Sequence, residues 1–175
     1  VFYLVPDARP DDGLLDVYFV NAIRLLPGRK TEPHSNTLYR NQGDGTFVDV
    51  TQEAGVGSSA FGVGGAVGDV DDDGLPDIYV TNWGPNTLFR NNGDGTFSRI
   101  PKPPGMAATD DHYTARYCDS DNDGNQDLFV MIGEGRYIAY GDGDWDFSPE
   151  YLTDVRPGRP IVADYDRDGL LDAYR

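Results

Sequence analysis

Three stretches of this 175-residue chain place carboxylates at a spacing suited to gripping a hard cation. Asp69-Val70-Asp71-Asp72-Asp73-Gly74-Leu75-Pro76-Asp77 recurs as Asp119-Ser120-Asp121-Asn122-Asp123-Gly124-Asn125-Gln126-Asp127 and as Asp164-Tyr165-Asp166-Arg167-Asp168-Gly169-Leu170-Leu171-Asp172. Positions 1, 3 and 5 of such a loop can turn their carboxylates toward one point, and glycine at position 6 permits the sharp bend. Position 7 (Leu75, Asn125, Leu170) offers its backbone carbonyl, and the aspartate at position 9 closes the cage. An all-oxygen donor set without His or Cys selects calcium over zinc or copper. Magnesium, which keeps several waters and takes few carboxylates, fits less well. Four carboxylates about 5 Å apart at an effective dielectric near 20 repel by roughly 20 kcal/mol in total, so a closed loop calls for a cation. The expectation is three calcium ions per chain. The loops are not EF-hands, since position 12 is Val80, Val130 or Arg175 instead of Glu and the flanks read as strands. A fourth, worn copy keeps only Asp12-Gly13-Leu14-Leu15-Asp16, with Ala8 and Pro10 at positions 1 and 3.

The elements that position these loops follow from the repeats. The loop glycines are Gly13, Gly74, Gly124 and Gly169, spacings that suit four-stranded propeller blades better than solenoid coils. A second repeated unit, Asn36 to Phe47, matches Asn86 to Phe97 at all but two positions. In the best-preserved unit, strands are predicted over 64–68, 77–81, 87–91 and from 96, with Gly93-Asp94-Gly95 as a hairpin turn. No segment shows a helical stripe. The fold class is therefore all-β: antiparallel four-stranded β-propeller blades with calcium loops between their first and second strands. About 3.5 blades are present, assigned as 1–55, 56–108, 109–155 and a half blade at 156–175. Closure needs four to eight blades, so more of the same chain, or another chain, is expected to complete the ring.

Phe61-Gly62-Val63-Gly64-Gly65-Ala66-Val67 ahead of the Asp69–Asp77 loop resembles the FG-GAP signature of integrin-type propellers. With Asn36–Phe47 and the following Val50-Thr51-Gln52-Glu53-Ala54-Gly55-Val56, the chain is similar to FG-GAP/VCBS repeats of cartilage acidic protein-like (ASPIC/UnbV-type) proteins. That resemblance implies calcium-stabilised, secreted or surface-exposed propellers used for adhesion or interaction. The third unit departs from it. Tyr140-Gly141-Asp142-Gly143-Asp144-Trp145 replaces the hairpin consensus and Asp111-His112 replaces Phe-Gly, which puts the outer hairpin geometry of that unit in question.

Charge narrows the partners. The formal net charge is -16, and of the 30 acidic residues only four are Glu. Asp favours turns and hard-cation sites over helical faces. Such a balance argues against nucleic acid or an anionic membrane, which demand a basic footprint, and no apolar run reaches transmembrane length. The lone cysteine, Cys118, precludes an internal disulfide and a cysteine-rich zinc site. Catalytic signatures are sparse, and the chain is read as a non-enzyme. The one cluster of interest is His112, Thr114 and Arg116, whose alternation can share a strand face as in some propeller polysaccharide lyases.

The end of the blades away from the Asp loops varies more. Gly13 to Gly45 spans 32 residues but Gly74 to Gly95 only 21, which puts the extra residues around Ala22–Ser35. Arg24, Arg29, Lys30 and His34 gather there, joined by Trp83 and, on the inner strand, His112 and Arg116. Basic and aromatic groups suit an acidic glycan or an acidic protein surface. The functional expectation is a calcium-stabilised extracellular or periplasmic scaffold binding a protein or glycan through this face. The alternative is a lectin-like or polysaccharide-lyase-type domain.

Overall fold

The computed structural model describes residues 1–6, 13–21, 35–100, 112–132, 135–152, 161–163 and 172–174. Side chains are not described for 112, 113, 132, 135, 152, 161–163 and 172–174. Blade 1 comprises β1 (Phe2–Pro6), β2 (Leu15–Phe19), β3 (Thr37–Asn41) and β4 (Phe47–Asp49), followed by α1 (Thr51–Ala54). Blade 2 comprises β5 (Gly62–Gly68), β6 (Asp77–Asn82), β7 (Gly84–Asn91) and β8 (Phe97–Ile100). Blade 3 comprises β9 (His112–Cys118), β10 (Asp127–Ile132), β11 (Gly135–Gly141) and β12 (Phe147–Leu152). A two-stranded pair follows, β13 (Ile161–Ala163) with β14 (Asp172–Tyr174). Each four-stranded sheet is an antiparallel meander in chain order. This is the all-β propeller-blade architecture expected from the repeats.

The blades stack through alternate side chains of their middle strands. Ile78 and Val80 of β6 and Phe89 of β7 pack with Val5, Tyr18 and Leu38 of blade 1. Their neighbours Tyr79 and Leu88 turn the other way, into Leu128, Val130, Tyr137 and Ala139 of blade 3. Every residue of β6 is buried, because both faces of blade 2 are covered. That is why its sequence lacks the polar alternation of a half-exposed strand. Among the described residues, blade 1 has one such cover only. Phe2, Leu4, Phe19 and Phe47 stand exposed on its other side, with Phe19 ringed by Phe2 and Tyr39 at centroid distances of 6.1 and 5.8 Å.

The glycine-rich inner strand has a steric cause. A Cβ at Gly65 would strike the Tyr79 carbonyl, and one at Gly68 would lie 2.6 Å from the Tyr117 ring of blade 3. β5 can thus sit tight against β6 and β9 only without side chains there. Two local readings are corrected. The turn expected between strands 77–81 and 87–91 shrinks to Trp83 alone, since β6 runs to Asn82 and β7 begins at Gly84. The link after β4 holds the four-residue α1, ended by Gly55 at φ 74, too short to leave a periodic stripe.

Candidate metal centre

The repeated Asn-x-Gly-Asp-Gly-Thr-Phe unit is structural punctuation. Asn41 and Asn91 accept the N–H of Gly43 and Gly93 at 2.9 Å, while Asp44 and Asp94 each accept both the N–H and the hydroxyl of Thr46 and Thr96. Those threonine bonds hold the Asp44 and Asp94 carboxyls below their usual range. The departing third hairpin closes the same way, Asp142 N–H to Asp146 carbonyl at 3.2 Å, as Asn92 does to Thr96 at 3.0 Å. Its geometry survives the sequence change. Trp145 takes the place of Gly95 and adopts φ 67, a left-handed conformation rare for a bulky side chain.

These hairpins sit on the Asp loops. Leu75 lies against Gly93 and Asn125 against Gly143, so the two kinds of turn share one end of each blade. Within the loop after β5, Asp69 accepts the N–H of Asp73 and of Gly74 at 3.1 and 2.8 Å. Asp119 repeats this with Asp123 and Gly124, both at 3.1 Å. Asp72 and Asn122 take positive φ at the bend, 54° and 63°, where an Asx side chain is tolerated.

Carboxylate oxygens of Asp69, Asp71 and Asp77 converge within 4.8 Å of one another, and those of Asp119, Asp121 and Asp127 do the same. Positions 1, 3 and 9 therefore meet. Position 5 lies outside both groups: Asp73 and Asp123 turn back to accept the N–H of Leu75 at 2.9 Å and of Asn125 at 2.8 Å. Asp164, Asp166, Asp168 and Leu170 lie outside the described residues, and Asp172 is described as backbone at the start of β14.

The donor set fits a hard divalent cation. Asp71 has a side chain only 7% exposed, and its buried Oδ1 has no hydrogen-bond partner. An orphaned buried carboxylate oxygen within a cluster of acids is what a bound cation would satisfy. Burial and the neighbouring Asp73 raise the Asp71 carboxyl against the opposing Arg90, and desolvation with Asp123 and Asp127 raises Asp121. Burial pushes Asp77 up to about 7, against backbone hydrogen bonds that favour its ionised form.

The sequence pattern does not disclose the second duty of position 9. Asp77 accepts the N–H of Val70 at 3.0 Å and of Asn91 at 2.8 Å, joining its own loop to the end of β7. Asp127 likewise takes Ser120 N–H at 2.7 Å, the Ser120 hydroxyl, and Gly141 N–H at 3.0 Å. Asp16, behind the worn loop, accepts Asn41 N–H at 2.8 Å. Asn36 and Asn86 were also missed as fasteners at the opposite end, where their side-chain carbonyls accept Asn21 and Asn82 N–H at 2.9 Å. Their repetition at the head of both copied units was the available signal.

Of the residues placed on the opposite face, Arg24, Arg29, Lys30 and His34 lie outside the described residues. Trp83 tips the β6–β7 hairpin, 62% exposed, with its ring edge-on to Phe61 at 6.2 Å. Arg116 is exposed mid-strand in β9 and, with Thr114, lines a cavity of about 910 Å³ between β1, β5 and β9, whose wall includes Val1 and Val63 toward that end. His112 opens β9, beyond a bulge that interrupts the alternation a shared face with Thr114 requires. Cys118 is half-buried, and burial pushes its thiol up to about 11, an inert environment.

The family model of the FG-GAP-like repeat matches residues 11–80 and again 69–130. The chain belongs to the FG-GAP-like repeat family. No curated protein matches the sequence. Among solved structures, the chain is similar to an Agrocybe aegerita lectin described by its specific recognition of non-reducing terminal N-acetylglucosamine. The TM-score is 0.63 at 19% identity, over 99% of this chain. The FG-GAP-like chain spans 46% of the length of that structure, so the likeness is one of fold. No helix among the described residues is long and apolar enough to cross a membrane.

Proposed function

We propose that this chain is a calcium-stabilised, non-catalytic propeller scaffold that binds a glycan or protein through the end opposite its Asp loops. One observation carries the reading: a single strand, β6, begins at the acidic cluster with Asp77 and ends beside the exposed Trp83. Six residues at about 3.3 Å each set the two roughly 20 Å apart. Calcium at the first end would fasten the inner strands, leaving the second end free to contact a ligand. In each cluster Asp69, Asp71 and Asp77, or Asp119, Asp121 and Asp127, would hold the ion. Loops with affinities like those of extracellular modules, ~10⁻⁴–10⁻³ M, fill only where calcium is abundant, which favours an extracellular or periplasmic location.

A glycan is favoured over a protein by the flat, exposed Trp83 ring, which offers an apolar platform for the C–H face of a sugar. The lectin likeness supports the same direction, although at fold level only. Screening on a glycan array, in parallel with pull-down of protein partners, tests the assignment. Glycan signals lost in Trp83→Ala and in Arg24→Ser/Arg29→Ser/Lys30→Ser support it. Unchanged binding in both variants moves the ligand face elsewhere.

A further inference from the structure

The two Asp loops differ in one respect that their sequences hide. Arg90 of β7 reaches the loop of its own blade, its guanidinium 2.8 Å from Asp71 Oδ2 and 3.4 Å from Asp73 Oδ2. The same guanidinium lies over the indole of Trp145, 5.4 Å from the ring centroid, so the blade 3 hairpin holds it from outside. At the matching position of blade 3 stands Tyr140, close to Asp121 and Asp127 but uncharged. No Lys or Arg among the described residues is within ion-pair distance of Asp119, Asp121 or Asp127. In blade 1, where the loop has lost the acids at positions 1 and 3, Arg40 turns instead to Glu53 at 3.4 Å.

We propose that Arg90 is a tethered counter-cation that makes the Asp69–Asp77 loop the weaker of the two described calcium sites. It thereby ties occupancy of that loop to the blade 2–blade 3 contact at Trp145. The inference rests on the calcium reading above. A guanidinium on Asp71 Oδ2 supplies part of the charge an ion would bring, while Asp71 Oδ1 stays buried without a partner. Arg90 is 43% exposed, so it has room to withdraw into solvent. An ion entering the Asp69–Asp77 loop (loop 2) must therefore compete with a tethered positive charge, whereas one entering the Asp119–Asp127 loop (loop 3) meets, among the described residues, carboxylates alone. Trp145 holds a backbone conformation its sister hairpins give to glycine, consistent with a side chain kept for a contact.

Calcium titration calorimetry on the full chain tests this. Loop 2 is isolated by Asp121→Asn with Asp166→Asn, and loop 3 by Asp71→Asn with Asp166→Asn. In the first background, Arg90→Met should tighten calcium binding at least tenfold, while Arg90→Lys stays within about threefold of the parent. In the second, Tyr140→Arg should weaken calcium binding at least tenfold, an arm that stands even if Arg90→Met fails to fold. Calcium binding that is unchanged by both charge swaps overturns the role of Arg90 and leaves the calcium reading intact. No calcium heat at either loop, in any form, overturns the calcium reading and this inference with it.

Discussion

Asp77 Oδ1 accepts the backbone N–H of Asn91 at 2.8 Å and so pins the head of β6 to the tail of β7. Asp16 makes the corresponding bond to Asn41 at 2.8 Å, although its loop has lost the acids at positions 1 and 3. The last aspartate of each described loop is thus a strand fastener, and Asp77 and Asp127 are candidate ligands as well. Asp16 is 2% exposed, so Asp16→Ala should cost about 1–3 kcal/mol by stranding an amide. The loss should be the same in calcium and in chelator. A calcium-dependent penalty, read by denaturant unfolding, would instead put an ion in the first loop.

The repeats made the fold legible because each blade is a local meander whose turns carry their own chemistry. Asp94 accepting both groups of Thr96 needs nothing beyond the hairpin itself. What the sequence could not disclose depends on neighbours far along the chain. Arg40 and Arg90 occupy the same place in the repeat, yet one pairs with Glu53 and the other with Asp71, according to what the adjacent loop retains. The convergence of positions 1, 3 and 9 without 5 was similarly hidden. It follows from backbone amides that draw Asp73 and Asp123 back onto their own loops.

Calcium removal should separate the two loops. Binding to the folded state alone adds about 2.7 kcal/mol per site at 100 times Kd. Asp121→Ala should therefore lower Tm in calcium and change little in chelator. Asp71→Ala should lower it in both, because that carboxylate also holds Arg90. Scanning calorimetry with and without chelator checks both, and a wild-type Tm indifferent to calcium would sink the stabilising role proposed for the ion.

The Cys118 thiol should resist chemistry. With its pKa pushed up to about 11 by burial and by Asp127 and Asp119, very little thiolate exists at pH 8. Iodoacetamide should label the folded chain at least tenfold more slowly than the same chain in denaturant. Equal rates would show an exposed, activated cysteine and reopen a catalytic role for it.

The outer face of blade 1 should behave as a blade-packing surface. Phe97 of blade 2 is buried against blade 1, but Phe47, its repeat counterpart, is 47% exposed. Phe2, Leu4 and Phe19 add further apolar surface to the same face, exposed at 61%, 53% and 37%. A face of this kind promotes association unless another blade covers it. The isolated chain should therefore self-associate, with sedimentation velocity shifting to larger species as concentration rises. Phe19→Asp with Phe47→Lys should suppress that association, because both side chains already contact solvent and the charges need not be buried. These replacements should cost little stability, since the blade 1–blade 2 core lies on the opposite face. A chain that stays monomeric across the concentration range, with these residues intact, would show that this face needs no partner.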